Sequence, residues 1–186
     1  REMAVAARGM AKAAEVLGKS FSLTITNVPY LTRQAQSDPI REYGERYFDQ
    51  AKADLATCFI HRALDWALSG SVAIVAPTGW HYQPAYKHFR KHLLDTCEWN
   101  SVLRLGPGAF EGISGEVVNV SLCTLTHSAK SSSRKSVGFW IDATDCGSPV
   151  EKATLAGDGQ MFAFDRSKQK SHPDQRIILA DREDAP

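Results

Sequence analysis

The stretch Phe21-Ser22-Leu23-Thr24-Ile25-Thr26-Asn27-Val28-Pro29-Tyr30 decides how this chain folds. Its first six residues are rich in β-formers and read as a strand. Its last four break that strand. Pro29 has no N–H, fixes its own φ and holds Val28 extended. The strand therefore ends in a stiff corner whose carbonyls point in defined directions. An amide side chain, a backbone carbonyl and a flat ring stand together at one mouth. That set suits a planar substrate bearing an amino group. Taken alone, the same four residues also describe a strand end with a tyrosine on the surface. The rest of the chain separates the two readings.

Upstream, residues 4–17 are Ala-rich with Val5, Met10, Ala14 and Leu17 on one side, a helix stopped by Gly18. Downstream, residues 32–49 are polar and read as a loop or a broken helix. Asp54 is placed to cap a helix carrying Leu55, Cys58, Phe59, Arg62, Ala63, Trp66 and Ala67 at three- and four-residue spacing. Residues 72–76 form a short apolar strand closed by Pro77, of the kind buried on both faces of a sheet. A helix from Pro84 to Thr96 follows, then a strand over 99–105 and the corner Gly106-Pro107-Gly108-Ala109-Phe110-Glu111-Gly112. Residues 117–126 and 139–142 read as strands joined too briefly for a crossover helix, which predicts an antiparallel hairpin at the sheet edge. Helices alternating with strands predict an α/β domain with a mainly parallel sheet. Beyond residue 143 the pattern weakens. The expected division is an α/β portion over 1–127 and a polar linker with the start of a following region over 128–186.

Composition sets outer bounds. The 186 residues are 43% hydrophobic and 23% charged, enough for one packed domain. A net charge of +1 neither demands nor excludes nucleic acid, because a local patch matters more than the sum. Cys58, Cys97, Cys123 and Cys146 are widely spaced without a Cys-x-x-Cys pair, so no zinc site or disulfide framework is expected and no metal is assigned. No apolar run is long enough to span a membrane. The expected setting is the cytoplasm, with no membrane partner. The chain opens on Arg1 and ends in a polar tail, and reads as a piece of a longer protein.

In open α/β sheets, ligands gather beyond the carboxyl ends of the strands. Three such ends carry unusual corners here: 27–30, Pro77-Thr78-Gly79-Trp80, and 106–110. A parallel sheet would bring all three to one cleft.

With the corners aligned, Thr26-Asn27-Val28-Pro29-Tyr30-Leu31 resembles the Asn-Pro-Pro-Tyr signature of methyltransferases that act on the amino group of adenine in DNA. Lys52-Ala53-Asp54-Leu55 with Phe59 resembles the next helix of that family, and Gly70 to Trp80 its next strand and Trp-containing turn. Phe110 resembles the family's base-contacting aromatic. The similarity spans about residues 21–126 and is closest to methylases of restriction–modification and BREX-type phage-defence systems. It implies a partial Rossmann-like methyltransferase domain.

The resemblance implies roles as well. The Asn27 side chain and the Val28 carbonyl accept the two hydrogens of the adenine amine, with Pro29 and Tyr30 completing the motif. Tyr30 and Phe110 stack on a base flipped out of double-stranded DNA. Phe59 and Pro77 touch the cofactor, S-adenosylmethionine. Val28 departs from the usual first Pro, with some loss of rigidity expected. The larger departure is upstream. Residues 1–20 hold only Gly9 and Gly18, in a helical context, where the family has a glycine-rich cofactor loop. The chain is therefore expected to carry the substrate half of the enzyme, to need the remainder of its parent chain, and to be inactive alone. Two other readings remain: a methyltransferase acting on a protein glutamine, and a non-catalytic nucleic-acid-binding scaffold of a defence complex.

Lesser candidates read as surface. Lys87, His88, Arg90, Lys91 and His92 form a basic solvated face or a phosphate contact. Lys130, Arg134 and Lys135 lie in a serine-rich exposed loop that can touch a DNA backbone. Asp142 and Asp145 lack the neighbours to complete a metal site.

Overall fold

The computed structural model describes residues 2–110, 118–127 and 137–178. Glu111 and Gly112 of the third corner and the basic residues 130, 134 and 135 lie outside them. Among the described residues six strands make one sheet: β1 (Leu23–Asn27), β2 (Ser71–Pro77), β3 (Cys97–Gly106), β4 (Val120–His127), β5 (Gly138–Asp142) and β6 (Phe162–Phe164). Six α-helices accompany them among the described residues: α1 (Glu2–Leu17), α2 (Asp38–Tyr47), α3 (Leu55–Trp66), α4 (Lys87–Thr96), α5 (Pro149–Asp158) and α6 (Arg166–Ser171).

The strand order is β1-β2-β4-β3-β5-β6. β1 with β2 and β3 with β5 pair in parallel, whereas β4 opposes both β2 and β3, and β6 opposes β5. Four strands thus share one direction in a mixed α/β sheet. The hairpin expected between 117–126 and 139–142 does not form. β4 is antiparallel, but it is inserted between β2 and β3, and the antiparallel pair at that edge is β5 with β6. Packing explains the choice. Val120, Ser121, Cys123 and Leu125 are all buried, so β4 gains more inside the sheet than on its rim. The polar stretch after Tyr30 contains a true helix, α2, with Pro39 in its first turn.

Strands β5 and β6 lie beyond position 128 yet belong to the same sheet and core. Trp99 of β3 stacks on Phe164 of β6 at 5.3 Å, and Phe164 lies parallel to Trp140 of β5 at 6.3 Å. Trp80 and Phe89 extend this aromatic cluster. α5 is tied back by Lys152, whose buried Nζ donates to the carbonyls of Leu105, Ala143 and Cys146 at 2.6, 3.0 and 2.7 Å. A buried ammonium is tolerated here because three carbonyl dipoles replace its water.

At the opposite edge the sheet is open. Among the described residues β1 pairs only with β2, and its Leu23 and Ile25 are 53% and 75% exposed. α1 is exposed along its described length, including Val5 and Met10. Among the described residues no helix is long and apolar enough to cross a membrane.

Burial also sorts the thiols. It pushes Cys58 and Cys97 up to about 11 and Cys123 up to about 12, so each stays protonated and shielded at neutral pH. Cys146 is less buried. Iodoacetamide on the native chain at pH 8 is expected to label Cys146 first, as read by peptide mass spectrometry. Early label on Cys123 would contradict the described core.

Candidate active site

The three corners lie at one end of the sheet by backbone register. Asn27 pairs with Val75, Pro77 with Val120, and Gly106 with the same Val120. The ends of β1 and β2 therefore stand side by side, and the start of β4 at Val120 separates the end of β2 from that of β3. Beyond them Thr78 donates its N–H to the Asn119 carbonyl at 2.8 Å and its hydroxyl to the same oxygen at 3.2 Å, fixing the turn after Pro77.

Each residue of the motif has a distinct place. Asn27 is exposed, and its Oδ1 accepts a hydrogen bond from the Tyr30 hydroxyl at 3.3 Å. Val28 is 2% exposed and donates its N–H to the Val75 carbonyl at 3.3 Å. That bond is unavailable to a proline, and it fixes the plane of the Asn27–Val28 peptide while the buried side chain anchors the corner. Pro29 is exposed. Tyr30 is half-buried and packs on the core, and burial raises its phenol above the usual range.

Tyr30 opens onto a cleft of about 650 Å³, a size ordinary for small-molecule sites. Pro77, Thr78, Gly79 and Trp80 line it, as do Tyr82, Gln83, Tyr86, Asp54 and Asn119. Asp54 was legible only as a helix cap, and its carboxylate does accept from the Ala56 N–H at 2.7 Å. It is also buried in the cleft wall, which raises its affinity for a proton. Tyr86 is pushed up to about 12, first by burial and then by the Asp54 charge. Tyr82 and Tyr86 were not legible as site residues. Their signal was their spacing around Pro84, directly after the Trp80 turn.

The other expected residues lie apart. Phe59 is 41% exposed and borders a second, apolar cavity with Leu17, Ile40, Tyr43 and Trp66. Phe59 and Pro77 thus do not line one cavity. The apolar cavity offers a flat wall suited to a heterocycle, with Gln36 and Arg62 as its polar members. Phe110 is 37% exposed, four residues beyond Gly106, and does not line the described cleft.

The basic face read on α4 is corrected in part. Lys87 pairs with Asp174 at 2.9 Å and Lys91 with Asp95 at 2.7 Å on the surface. Arg90 is not solvated but fully buried. His92 stacks on His61 at 5.4 Å, and burial, with His61 beside it, lowers its affinity for a proton. Among the described residues no cluster of His, Cys, Asp or Glu is placed to hold a metal ion.

His81, behind the cleft wall, is held neutral. Burial, reinforced by the charges of Arg104 and Arg90, lowers it to about 3. In the unfolded chain a histidine binds a proton near pH 6.5. Its contribution to stability is therefore complete above that value and is lost as pH falls toward 3. The loss between pH 7.5 and pH 5 is expected to be about 2 kcal/mol, because each pH step below the unfolded value costs about 1.4 kcal/mol. Urea midpoints at the two pH values check this. A His81→Gln chain whose midpoint falls just as steeply would show that the loss belongs to other groups.

The chain matches the model of the Eco57I restriction-modification methylase over residues 7–110, more than half of its length. It is 28% identical over 107 residues to the adenine-specific methyltransferase BrxX of Escherichia coli O9:H4 (strain HS), covering 57% of this chain and 9% of that protein. It is 24% identical over 117 residues to the adenine-specific methyltransferase PglX of Lacticaseibacillus casei (strain Zhang), covering 61% and 10%. The chain therefore spans about a tenth of the length of these curated relatives. Among solved structures it resembles that of the DrdV–DNA complex, with a TM-score of 0.63, 16% identity, and 94% and 20% of the two chains covered. It also resembles the type I restriction-modification methyltransferase subunit of Streptococcus thermophilus, with a TM-score of 0.60, 16% identity, and 86% and 37% covered. Identities this low show a shared fold alone.

Proposed function

The chain belongs to the Eco57I restriction-modification methylase family, and on that premise we propose that it is the base-presenting half of a methyltransferase acting on the exocyclic amine of adenine in DNA. The observation that carries this reading is the adjacency of the β1 and β2 ends, with Tyr30 bonded to Asn27 and lining one cleft together with the Pro77 turn.

The amine of adenine is a weak nucleophile because its lone pair is delocalised into the ring. Two acceptors aimed at its hydrogens localise that pair and stabilise the positive charge that grows on nitrogen. The Asn27 side-chain oxygen and the Val28 carbonyl fill these roles. Tyr30 orients the Asn27 amide through its hydroxyl and offers its ring to the base. Flipping a base from the duplex costs a few kcal/mol, and stacking returns about 1–3 kcal/mol. S-adenosylmethionine, when bound, supplies a methyl group activated by its attachment to a sulfonium sulfur. Phe59 is proposed to face that cofactor, and Phe110 to reach the base from the third corner.

The rest of the parent chain is proposed to cover the open β1 edge and the apolar side of α1. An edge strand with exposed Leu23 and Ile25 is a template for further pairing. In the same reading the parent acts in a restriction–modification or phage-defence system and takes double-stranded DNA as its partner.

The test incubates the full-length parent with methyl-labelled S-adenosylmethionine and unmethylated DNA of varied sequence. Label at the N6 position of adenine is expected. Label on cytosine or on a protein glutamine, or none at all on any DNA, would overturn the proposal.

A further inference from the structure

Arg90 is fully buried on α4, and its guanidinium is held by backbone carbonyls converging from two sides. Nη1 donates to the Trp80 and Gln83 carbonyls at 2.9 and 2.7 Å. Nη2 donates to the Asp174 carbonyl at 2.9 Å, and Nε to those of Asp174 and Gln175 at 3.3 and 3.1 Å. One planar fork thus joins two stretches of chain. The first is the turn after Pro77, whose Gly79, Trp80 and Gln83 line the cleft. The second begins 84 residues downstream of Arg90 itself.

An independent observation marks the second stretch. Asp174 and Gln175 have φ of +59° and +50°, a left-handed conformation that ordinary residues rarely adopt. Such backbone persists only where its surroundings hold it. The two carbonyls that this conformation turns are those taken by Arg90. The Ile177 N–H returns to the His81 carbonyl at 2.8 Å, and the Ile177 side chain is buried. Residues 173–177 are therefore fastened to the cleft-wall turn from both sides.

We propose that Arg90 is a positioning residue for the base cleft, locking the wall turn 78–86 to residues 173–177 so that chain beyond β6 sets the geometry of the cleft. This role rests on the base-presenting function given to that cleft. Arginine is required because only a planar fork of donors reaches four carbonyls on two segments at once.

The test uses the full-length parent carrying Arg90→Lys or Ile177→Ala, neither of which changes a residue lining the cleft. Backbone hydrogen exchange and steady-state methyl transfer are both measured. Amides of 78–86 and 173–177 are expected to exchange together about tenfold faster in each variant. The KM for DNA is expected to rise about tenfold while kcat falls less than about threefold, because a displaced wall weakens the seating of the base. Faster exchange in 173–177 with 78–86 and KM unchanged would overturn the lock. If Arg90→Lys does not fold, Ile177→Ala carries the test alone. If the wild-type parent transfers no methyl to DNA, the function of the cleft is refuted, whereas the coupled exchange still reports on the lock.

Discussion

Asn27→Ala in the full-length parent is expected to lower kcat for adenine methylation by about 10²–10³, the usual consequence of removing one preorganised polar group from a site where charge develops. The KM for DNA is expected to change little, because the amine gains its positive charge only in the transition state. The structure sharpens the contrast with its neighbours. The second proposed acceptor, at Val28, is a backbone carbonyl that no side-chain substitution removes. Tyr30→Phe removes only the hydroxyl that orients Asn27 Oδ1 at 3.3 Å, so a loss of about tenfold is expected, in line with one ordinary hydrogen bond. Tyr30→Ala removes the ring proposed to stack on the base and should instead raise the KM for DNA. Initial rates with labelled cofactor over a DNA titration separate these outcomes. An Asn27→Ala enzyme with wild-type kcat would remove Asn27 from the chemistry altogether.

Val28 shows how a departure from the family pattern is answered by the fold. Replacing a proline suggests a looser corner. The structure gives Val28 a buried side chain and an N–H bonded to Val75, two restraints of its own. The motif corner stays defined by a different route.

The first half of the chain was legible because its signals are local. An apolar run ended by Pro77, a cap at Asp54 and a helix stopped before Gly70 each need only a few neighbouring residues. The position of β4 was not legible. Whether an antiparallel strand sits at an edge or inside a sheet depends on partners distant in sequence, and a short connection to 139–142 pointed to the wrong one. α5 carries a readable start. Ser148 accepts from the Glu151 N–H at 3.2 Å, and Glu151 accepts in turn from the Gly147 N–H at 2.8 Å, much as in a capping box. The glycines and prolines around it concealed the signal.

Arg90 and Lys152 were the least legible residues. On a helix rich in lysine and histidine, an arginine reads as solvated. Only the folded chain shows carbonyls converging from two directions, and a carbonyl leaves no mark in a sequence. The same holds for the cleft wall. Tyr86 and Asp54 are brought together by α3 and the turn before α4, which no spacing rule connects.

Gly138→Ala is expected to have the largest effect on stability. Gly138 opens β5 and is buried against β3. A Cβ built there would overlap the Trp99 carbonyl oxygen and lie 3.0 Å from the Trp99 carbonyl carbon and 3.2 Å from the Asn100 carbonyl oxygen. The obstacle is backbone of a central strand, so no side chain can swing away. The β3–β4 register also shifts between Trp99 and Ser101, beside this contact. β5 must move off β3, which loosens its parallel ladder and the stack of Trp99 on Phe164. Overpacking of this kind costs about 1–3 kcal/mol, and a displaced strand belongs at the upper end. At about 2–4 °C per kcal/mol for a chain of this size, Tm is expected to fall by roughly 6–12 °C. Gly157→Ala is the matched control. Its Cβ would meet nothing within 4 Å in α5, and alanine favours a helix over glycine by about 1 kcal/mol. Thermal melts of the two chains should therefore move in opposite directions. A Gly138→Ala chain that melts with the wild type would mean that β5 does not lie against β3, and with it would go the path by which residues 165–178 reach the cleft.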